Sequence, residues 1–199
     1  MSTPTTATTT IQATTLPYLD WVNDQLPRVL LGIGDCLSAL QRHADAADAY
    51  SRAHERRQKQ LDDVILAKKD TIEHLQCQRR VCEATVLIAE ELLACPEGHD
   101  VVTTETQCVV VQANERIEYA RGYYDKARDS LQDTVYLMGK LAAHKVDLGT
   151  EKEDVCFLAT MIMGVGETLA ALDEEQQQQE ESKKKATSSL EPVKKKAKK

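Results

Sequence analysis

The stretch LLGIGDCLSALQRHADAADAYSRA, residues 30–53, places its apolar and small residues on two helical stripes that are separated by the polar joint QRHAD. Apolar residues recur at spacings of three and four on both sides of the joint, a period typical of helices with one buried face. The first stripe begins at Leu30, with Val29 as the alternative. Glycine and alanine at contact positions allow two helix axes to approach closely. The residues expected to pack in this helical hairpin are Leu30, Ile33, Gly34, Leu37, Ala46, Tyr50 and Ala53.

The composition of the whole chain also favours helices. The 199 residues are 42% apolar but only 4% aromatic, and they include only eight glycines and five prolines. Abundant Ala, Leu, Glu, Gln, Lys and Arg favour long helices over strands. The sequence has no uninterrupted run of about 18 apolar residues, which a membrane span needs. We therefore predict an all-α protein with one domain, residues 16–175, that does not cross a membrane.

Charge is distributed unevenly along the chain. Residues 183–199 hold eight lysines and one glutamate, a charge of +7, which leaves −14 for residues 1–182 because the whole chain carries −7. A domain this acidic repels phosphate backbones and attracts basic partners. Direct binding of nucleic acid is therefore not expected of the domain.

Both ends of the chain are predicted to be disordered. Residues 1–15 are rich in threonine and poor in bulky apolar residues, and no Lys or Arg precedes Arg28, so this segment does not resemble a targeting peptide. Residues 176–199 pass from acidic and Gln-rich sequence to two lysine clusters, which predict a nuclear localisation signal. A merely solvating tail and non-specific contact with nucleic acid are the alternatives. The lysines concerned are Lys183, Lys184, Lys185, Lys194, Lys195, Lys196, Lys198 and Lys199.

The hairpin at residues 30–53 resembles a tetratricopeptide repeat, because its apolar, glycine, alanine and aromatic positions match that pattern without a gap. A generic pair of antiparallel helices is the alternative. Pro27 is expected in the first turn of the first repeat helix, after a short helix that contains Trp21.

A second repeat is expected, since one hairpin cannot bury its own apolar face. Its first helix is predicted to begin with Asp70 as the N-cap and Glu73 three residues later. An interruption at residues 96–112 separates this helix from its partner, which resumes the repeat pattern at GYYDKARDSLQ. The packing residues expected in the second repeat are Ala84, Ile88, Tyr124, Ala127 and Leu131.

An interrupted repeat of this kind resembles the SHNi-TPR family of histone chaperones. RRVCEATVLIA is similar to the family segment R-x-x-A-E-x-x-x-x-L-G, and YYDKA is similar to its Y-D-E-A. Cys82 and Ala89 replace the family's Ala and Gly, and the interruption has only scattered acidic residues instead of an acidic tract. The resemblance covers roughly residues 28–145.

A last helix, residues 150–172, is predicted to cap the array. Its start, GTEKED, has a capping-box pattern at Thr150 and Glu153. Apolar residues then follow at spacings of three and four from Val155 to Leu172, which form a narrow seam. This seam is expected to cover the last repeat, and a coiled-coil homodimer is the alternative.

Acidic residues provide the candidate binding site. The resemblance implies that first helices line a concave groove, where Asp35, Glu83 and Glu90 would suit a segment rich in Lys and Arg. Solvated surface acids are the alternative interpretation. The candidate partner-binding residues are Asp35, Glu83, Glu90 and, in the interruption, Glu97, Asp100 and Glu105.

No pattern in the chain indicates catalysis or a metal site. The nearest approach to metal-ligand spacing, His74, Cys77 and Cys82, lacks paired CxxC spacing and a fourth ligand. Nucleophile and phosphate-binding motifs are not found, so we predict neither enzyme activity nor a cofactor.

The sequence thus predicts a nuclear chaperone that binds core histones, shields them and passes them on, and that meets an import receptor through its basic tail. No small-molecule substrate is expected. A tetratricopeptide adaptor for acidic C-terminal peptides is disfavoured, because Leu31 and Asp35 stand where such clamps have Lys and Asn. A helical scaffold subunit of a larger complex is the main alternative, and an unrecognised enzyme is the weakest.

Overall fold

Five helices form nearly all of the structure, a computed structural model that describes residues 16–67, 71–95, 101–102, 110–111 and 115–188. The prediction of an all-α protein is confirmed for these residues. A two-residue antiparallel strand pair lies between the third and fourth helices, with Val101 opposite Val111. The elements are α1 (Leu16–Ala39), α2 (His43–Leu66), α3 (Ile72–Ala94), β1 (Val101–Val102), β2 (Val110–Val111), α4 (Arg116–Ala143) and α5 (Glu151–Ser188).

Each helix packs against the helices before and after it in the sequence, and α5 also contacts α3. Two of the connections are tight Schellman turns. Gln41 and Lys145 adopt positive φ angles of 58° and 57°. After each of them, the N–H of the next residue bonds back to a helix carbonyl, from Arg42 to Leu37 at 2.9 Å and from Val146 to Leu141 at 3.1 Å. These turns reverse the chain within a few residues.

The first hairpin depends on a close contact between α1 and α2. A Cβ atom on Gly34 would clash with the ring of Tyr50, which is itself 2% exposed. Ala46 and Ala53 are fully buried on the same face of α2. The small residues therefore let the two helices approach, as the sequence indicates.

The buried stripe of α1 differs from the prediction at one of its residues. Leu30, not Val29, is buried, and Leu37 is partly buried. Ile33 was expected to pack in the hairpin, but it is 45% exposed. The reason is that Leu30, Gly34 and Leu37 face α2, whereas Ile33 lies beside this face and not on it.

Pro27 lies inside α1 and does not begin a new helix, so the prediction of two helices here is wrong. A proline inside a helix removes one backbone hydrogen bond and costs about 3 kcal/mol. Pro27 is buried, and α1 packs against α2, so the continuous helix is part of the packed structure.

The central helix of the array is α3, which packs against α2, α4 and α5. Its N-cap is Thr71, whose hydroxyl accepts the backbone N–H of His74 at 3.2 Å. Asp70, the predicted cap, lies outside the described residues. The expected packing positions on this helix are correct, because Ala84 and Ile88 are both fully buried.

The fourth helix follows the segment that was predicted to interrupt the second repeat, and it packs against α3. Ala127 is fully buried, and Tyr124 and Leu131 are partly buried against α5. Tyr124 lies so close to Gly166 that a Cβ there would approach its hydroxyl to 2.8 Å. The interruption itself, predicted for residues 96–112, is described only at its two short strands.

The last helix packs its predicted seam against α3 and α4. Ion pairs join it to both neighbours: Arg79 on α3 bonds Glu151 at 2.7 Å, and Arg121 on α4 binds Asp173 in a bidentate pair at 2.7 and 3.2 Å. Buried seam residues are Val155, Leu158, Ile162, Val165 and Leu169.

This helix also extends beyond its predicted end. It continues through residues 176–188, which were predicted to belong to a disordered tail. The segment lacks Gly and Pro, its glutamines and lysines are good helix formers, and Lys184 lies 3.9 Å from Glu180 at i,i+4 spacing. Residues 176–184 are exposed, so helix propensity rather than packing favours the helix over this part of α5.

One further property of α5 bears on the prediction that the chain does not cross a membrane. Among the described residues, α5 alone is long and apolar enough to span a bilayer, with a mean hydropathy of 1.8 over its best window, of which 28% is buried. One such helix is weak evidence, because a core helix of a soluble protein has the same length and composition.

Candidate functional site

Asp35 lies on the exposed surface of α1, where it accepts a hydrogen bond from the buried ring of Tyr50. The Tyr50 hydroxyl donates to Asp35 Oδ1 at 2.8 Å. Burial raises the pKa of Tyr50, and the hydrogen bond and the charges of Asp35, Glu91 and Glu90 raise it further. Tyr50 therefore remains a neutral hydrogen-bond donor that fixes Asp35 at the surface.

Glu83, the second predicted groove residue, is part of an ion pair between helices. Arg57 on α2 is almost fully buried, and its Nη1 lies 2.9 Å from Glu83 Oε2 and 2.7 Å from the backbone oxygen of Arg80. The charge of Glu83 thus compensates a buried guanidinium. Its carboxylate is not available as an independent site for a basic partner.

Glu90, the third predicted groove residue, faces a cleft between α3 and α5. The cleft has a volume of about 420 Å³, and its walls are Leu93, Ala94, Gly164, Val165 and Thr168. Burial raises the pKa of Glu90 to about 7, and the charge of Glu91 contributes to this shift. Within the part of the chain that the structure describes, no hydrogen bond or ion pair reaches its carboxylate. Glu90 is therefore the one predicted groove acid with an uncommitted carboxylate.

A buried acid that the prediction did not include lies next to it. Glu91 Oε2 is 2.8 Å from His43 Nδ1 at the start of α2, and both side chains are largely buried. Glu91 follows Ala84 and Ile88 at helical spacing on the buried face of α3. This spacing could have identified Glu91 from the sequence, because a charged residue on a buried helix face requires a partner.

The structure thus brings together part of the predicted site. Asp35 contacts Tyr50 directly, whereas Glu90 lines the cleft between α3 and α5, and the charges of Asp35, Glu91 and Glu90 all raise the pKa of Tyr50. Glu83 lies two helical turns away and is occupied by Arg57. Glu97, Asp100 and Glu105 are outside the described residues.

Of the predicted localisation lysines, Lys183 and Lys184 have exposed side chains near the end of α5. Lys185 lies on the same helix, and only its backbone is described. The remaining members of the set lie outside the described residues: Lys194, Lys195, Lys196, Lys198 and Lys199.

The cysteines that the structure describes are unpaired, and three of the five are buried. Burial raises the pKa of Cys82 to about 11 and also raises that of Cys77. The Cys82 thiol donates to the backbone oxygen of Ala127 at 3.3 Å. No group of three or more His, Cys, Asp or Glu side chains in the described ranges is arranged to hold a metal ion.

Comparisons with other proteins give no relative for this chain, since no family model, no curated protein and no solved structure matches it. The resemblance to the SHNi-TPR family thus depends on the quoted motifs alone.

Proposed function

We propose that this protein is a nuclear histone-binding chaperone, which holds core histones on its acidic helical domain and passes them to chromatin. The tetratricopeptide-like interpretation of the five helices, with an interruption between α3 and α4, belongs to this proposal. So does nuclear import through the lysines of the tail.

The observation that carries the proposal is a pair of acidic residues, Asp35 on the surface of α1 and Glu90 in the cleft between α3 and α5. Asp35 is exposed there, and Glu90 offers a carboxylate without a partner among the described residues. Carboxylates of this kind form charge-assisted hydrogen bonds with Lys and Arg, the residues in which histones are rich. The charge of −14 on residues 1–182 adds long-range attraction for a basic partner.

Capture of purified core histones tests the proposal. We expect the wild-type protein to retain histones in preference to another basic protein of similar charge, and to do so less well as salt increases. The double variant Asp35→Lys/Glu90→Lys should lose at least tenfold in affinity, or about 1.4 kcal/mol. Glu83 is left intact, because its loss would strand the Arg57 charge.

The matched control is Asp129→Lys/Asp133→Lys, which changes the net charge equally on the exposed face of α4. It should retain most of the histone affinity. Circular dichroism must show that both variants remain helical. Equal losses in the two variants would mean that overall charge, not this pair of acidic residues, governs binding, and no capture by the wild type would refute the chaperone function.

A second candidate, a non-catalytic scaffold in a larger assembly, is supported by exposed apolar side chains at both ends of the helical array. On α1, Val29 and Leu40 are 55% and 70% exposed, and on α5, Phe157 and Met163 are 67% and 60% exposed. Terminal elements of helical repeats normally present polar outer faces. Co-purification of a stoichiometric helical partner, lost on Phe157→Lys/Met163→Lys, would favour this candidate.

A further inference from the structure

We infer that the cleft between α3 and α5 binds one lysine side chain of a basic partner segment, with the ammonium group on Glu90 and the alkyl stem between Leu93 and Val165. The identity of the partner as a histone rests on the proposed function. The lysine subsite itself does not, since it is argued from the cleft alone.

The shape and the polarity of the cleft match those of a lysine side chain. Its volume of about 420 Å³ is many times the roughly 10–15 Å³ that a single water needs, so a side chain can enter. Apolar walls suit the four methylene groups of a lysine, which buries its stem while its charge stays on a polar group. Glu90 supplies the negative charge that an ammonium group requires.

The acceptors in the cleft favour lysine over arginine. Thr168 donates its hydroxyl to the backbone oxygen of Gly164 at 3.0 Å, which leaves the lone pairs of that hydroxyl as acceptors. Glu90 and Thr168 therefore offer one carboxylate and one hydroxyl oxygen. An ammonium group has three donors and is compact, whereas a guanidinium has five N–H groups in a flat fork and would leave more of them unpaired.

Binding should release a proton from Glu90. Burial and Glu91 raise the Glu90 pKa to about 7, so near neutral pH a large share of the carboxyl groups are protonated. An incoming ammonium favours the carboxylate, and the proton passes to solvent. The other titratable groups near this carboxyl are Glu91, its partner His43, and the Tyr50–Asp35 pair. The residues that α5 contributes to the cleft, Gly164, Val165 and Thr168, carry no charge.

The lysines of the chain's own tail are less suitable occupants. About 30 Å of helix, at 1.5 Å per residue, separates Thr168 from Ser188, where α5 ends. Residues 189–199 could extend back at most about 36–40 Å. A lysine beyond Ser188 therefore reaches the cleft only if this segment runs back along α5 in a largely extended conformation. We therefore assign the cleft to a lysine from another molecule.

Isothermal titration calorimetry with the full chain tests this assignment. The probe is a short peptide of alternating Gly and Lys, measured at about pH 6 and about pH 8 in two buffers that differ in ionisation enthalpy. We expect the wild type to release protons on binding and to bind at least fivefold more tightly at the higher pH. The same peptide with acetylated lysines should not bind, and an Arg peptide should bind more weakly.

Glu90→Gln keeps the shape of the side chain and should abolish proton release and the pH dependence, with at least a fivefold loss of affinity at the higher pH. Thr168→Val should weaken binding but retain proton release. The control Glu174→Gln, on the exposed face of α5, should behave as wild type. Unchanged proton release and affinity in folded Glu90→Gln would overturn the inference.

Two further measurements identify the source of the lysine and separate the subsite from the chaperone function. Tighter peptide binding after Lys→Gln substitution at all five lysines from Lys194 to Lys199 would show that the chain's own tail occupies the cleft, which overturns assignment to another molecule. If the Lys peptide binds wild type and Glu90→Gln equally and without proton release while core histones still bind, the lysine subsite is wrong and the chaperone function stands. If the Lys peptide binds as expected but core histones do not, the subsite stands and the chaperone function is wrong.

Discussion

Substitution of Gly34 by alanine should destabilise the protein relative to the same substitution at Gly32. Both glycines lie in α1, and each gains about 0.5–1 kcal/mol of helix stability when it becomes alanine. A Cβ at Gly32 meets nothing within 4 Å, so this gain should appear in full. At Gly34 the new methyl group clashes with the ring of Tyr50.

The size of the effect follows from how firmly that ring is held. Tyr50 is fully packed in a cluster with Ile88 and Leu92, so it cannot retreat without disturbing α3. Movement would also break its hydrogen bond to Asp35. Overpacking of this kind costs about 1–3 kcal/mol. Because the propensity gain is common to both variants, Gly34→Ala should be less stable than Gly32→Ala by about 1–3 kcal/mol.

Urea unfolding followed by circular dichroism measures both variants. Adding Tyr50→Leu to Gly34→Ala should recover part of the loss, because the smaller side chain makes room for the methyl group, and a double-mutant cycle reports this coupling. If Gly34→Ala is as stable as Gly32→Ala, then α1 does not approach Tyr50 closely, and the packing of the first hairpin is wrong.

The acidic side chains and the basic tail lead to three other expectations. Glu83→Gln should lower the free energy of unfolding in urea by about 1–3 kcal/mol, because it leaves the buried Arg57 without its carboxylate; an unchanged value would mean that the pair is not formed. Burial raises the Glu90 pKa from 4.5 to about 7 on folding, so the folded state holds this proton to higher pH than the unfolded state does. Wild type should therefore lose stability relative to Glu90→Gln as the pH rises from about 4.5 to about 7, and a stability difference that does not vary with pH would contradict the shift. Removal of residues 183–199 should move a fluorescently tagged chain towards the cytoplasm without loss of helical stability, and unchanged nuclear accumulation would count against the signal.

Much of the helical architecture was predictable from the sequence, because helical periodicity is a local property. Spacings of three and four identified the buried alanines of α2 and the buried positions of α3. The same local reasoning failed at Pro27, which is buried inside one continuous helix that packs against α2. It also failed after residue 175, where a segment of good helix formers that was predicted to be disordered continues α5.

The candidate site was predictable only in part. The sequence supplied Asp35 and Glu90, but it did not distinguish them from Glu83, since all three are acids on predicted first helices. Only the packing of α2 against α3 decides that Arg57 neutralises Glu83. Only the packing of α5 against α3 leaves Glu90 in an apolar cleft with a raised pKa.

The sequence by itself determined the helical class of this protein, the small residues of its first hairpin and the separation of an acidic domain from a basic tail. These properties depend on residue type and on spacing along one helix. The tertiary structure alone decided which charges are paired and which remain available. Ion pairs such as Arg57–Glu83 and Arg79–Glu151 join different helices, and their formation depends on how those helices are turned and placed against each other.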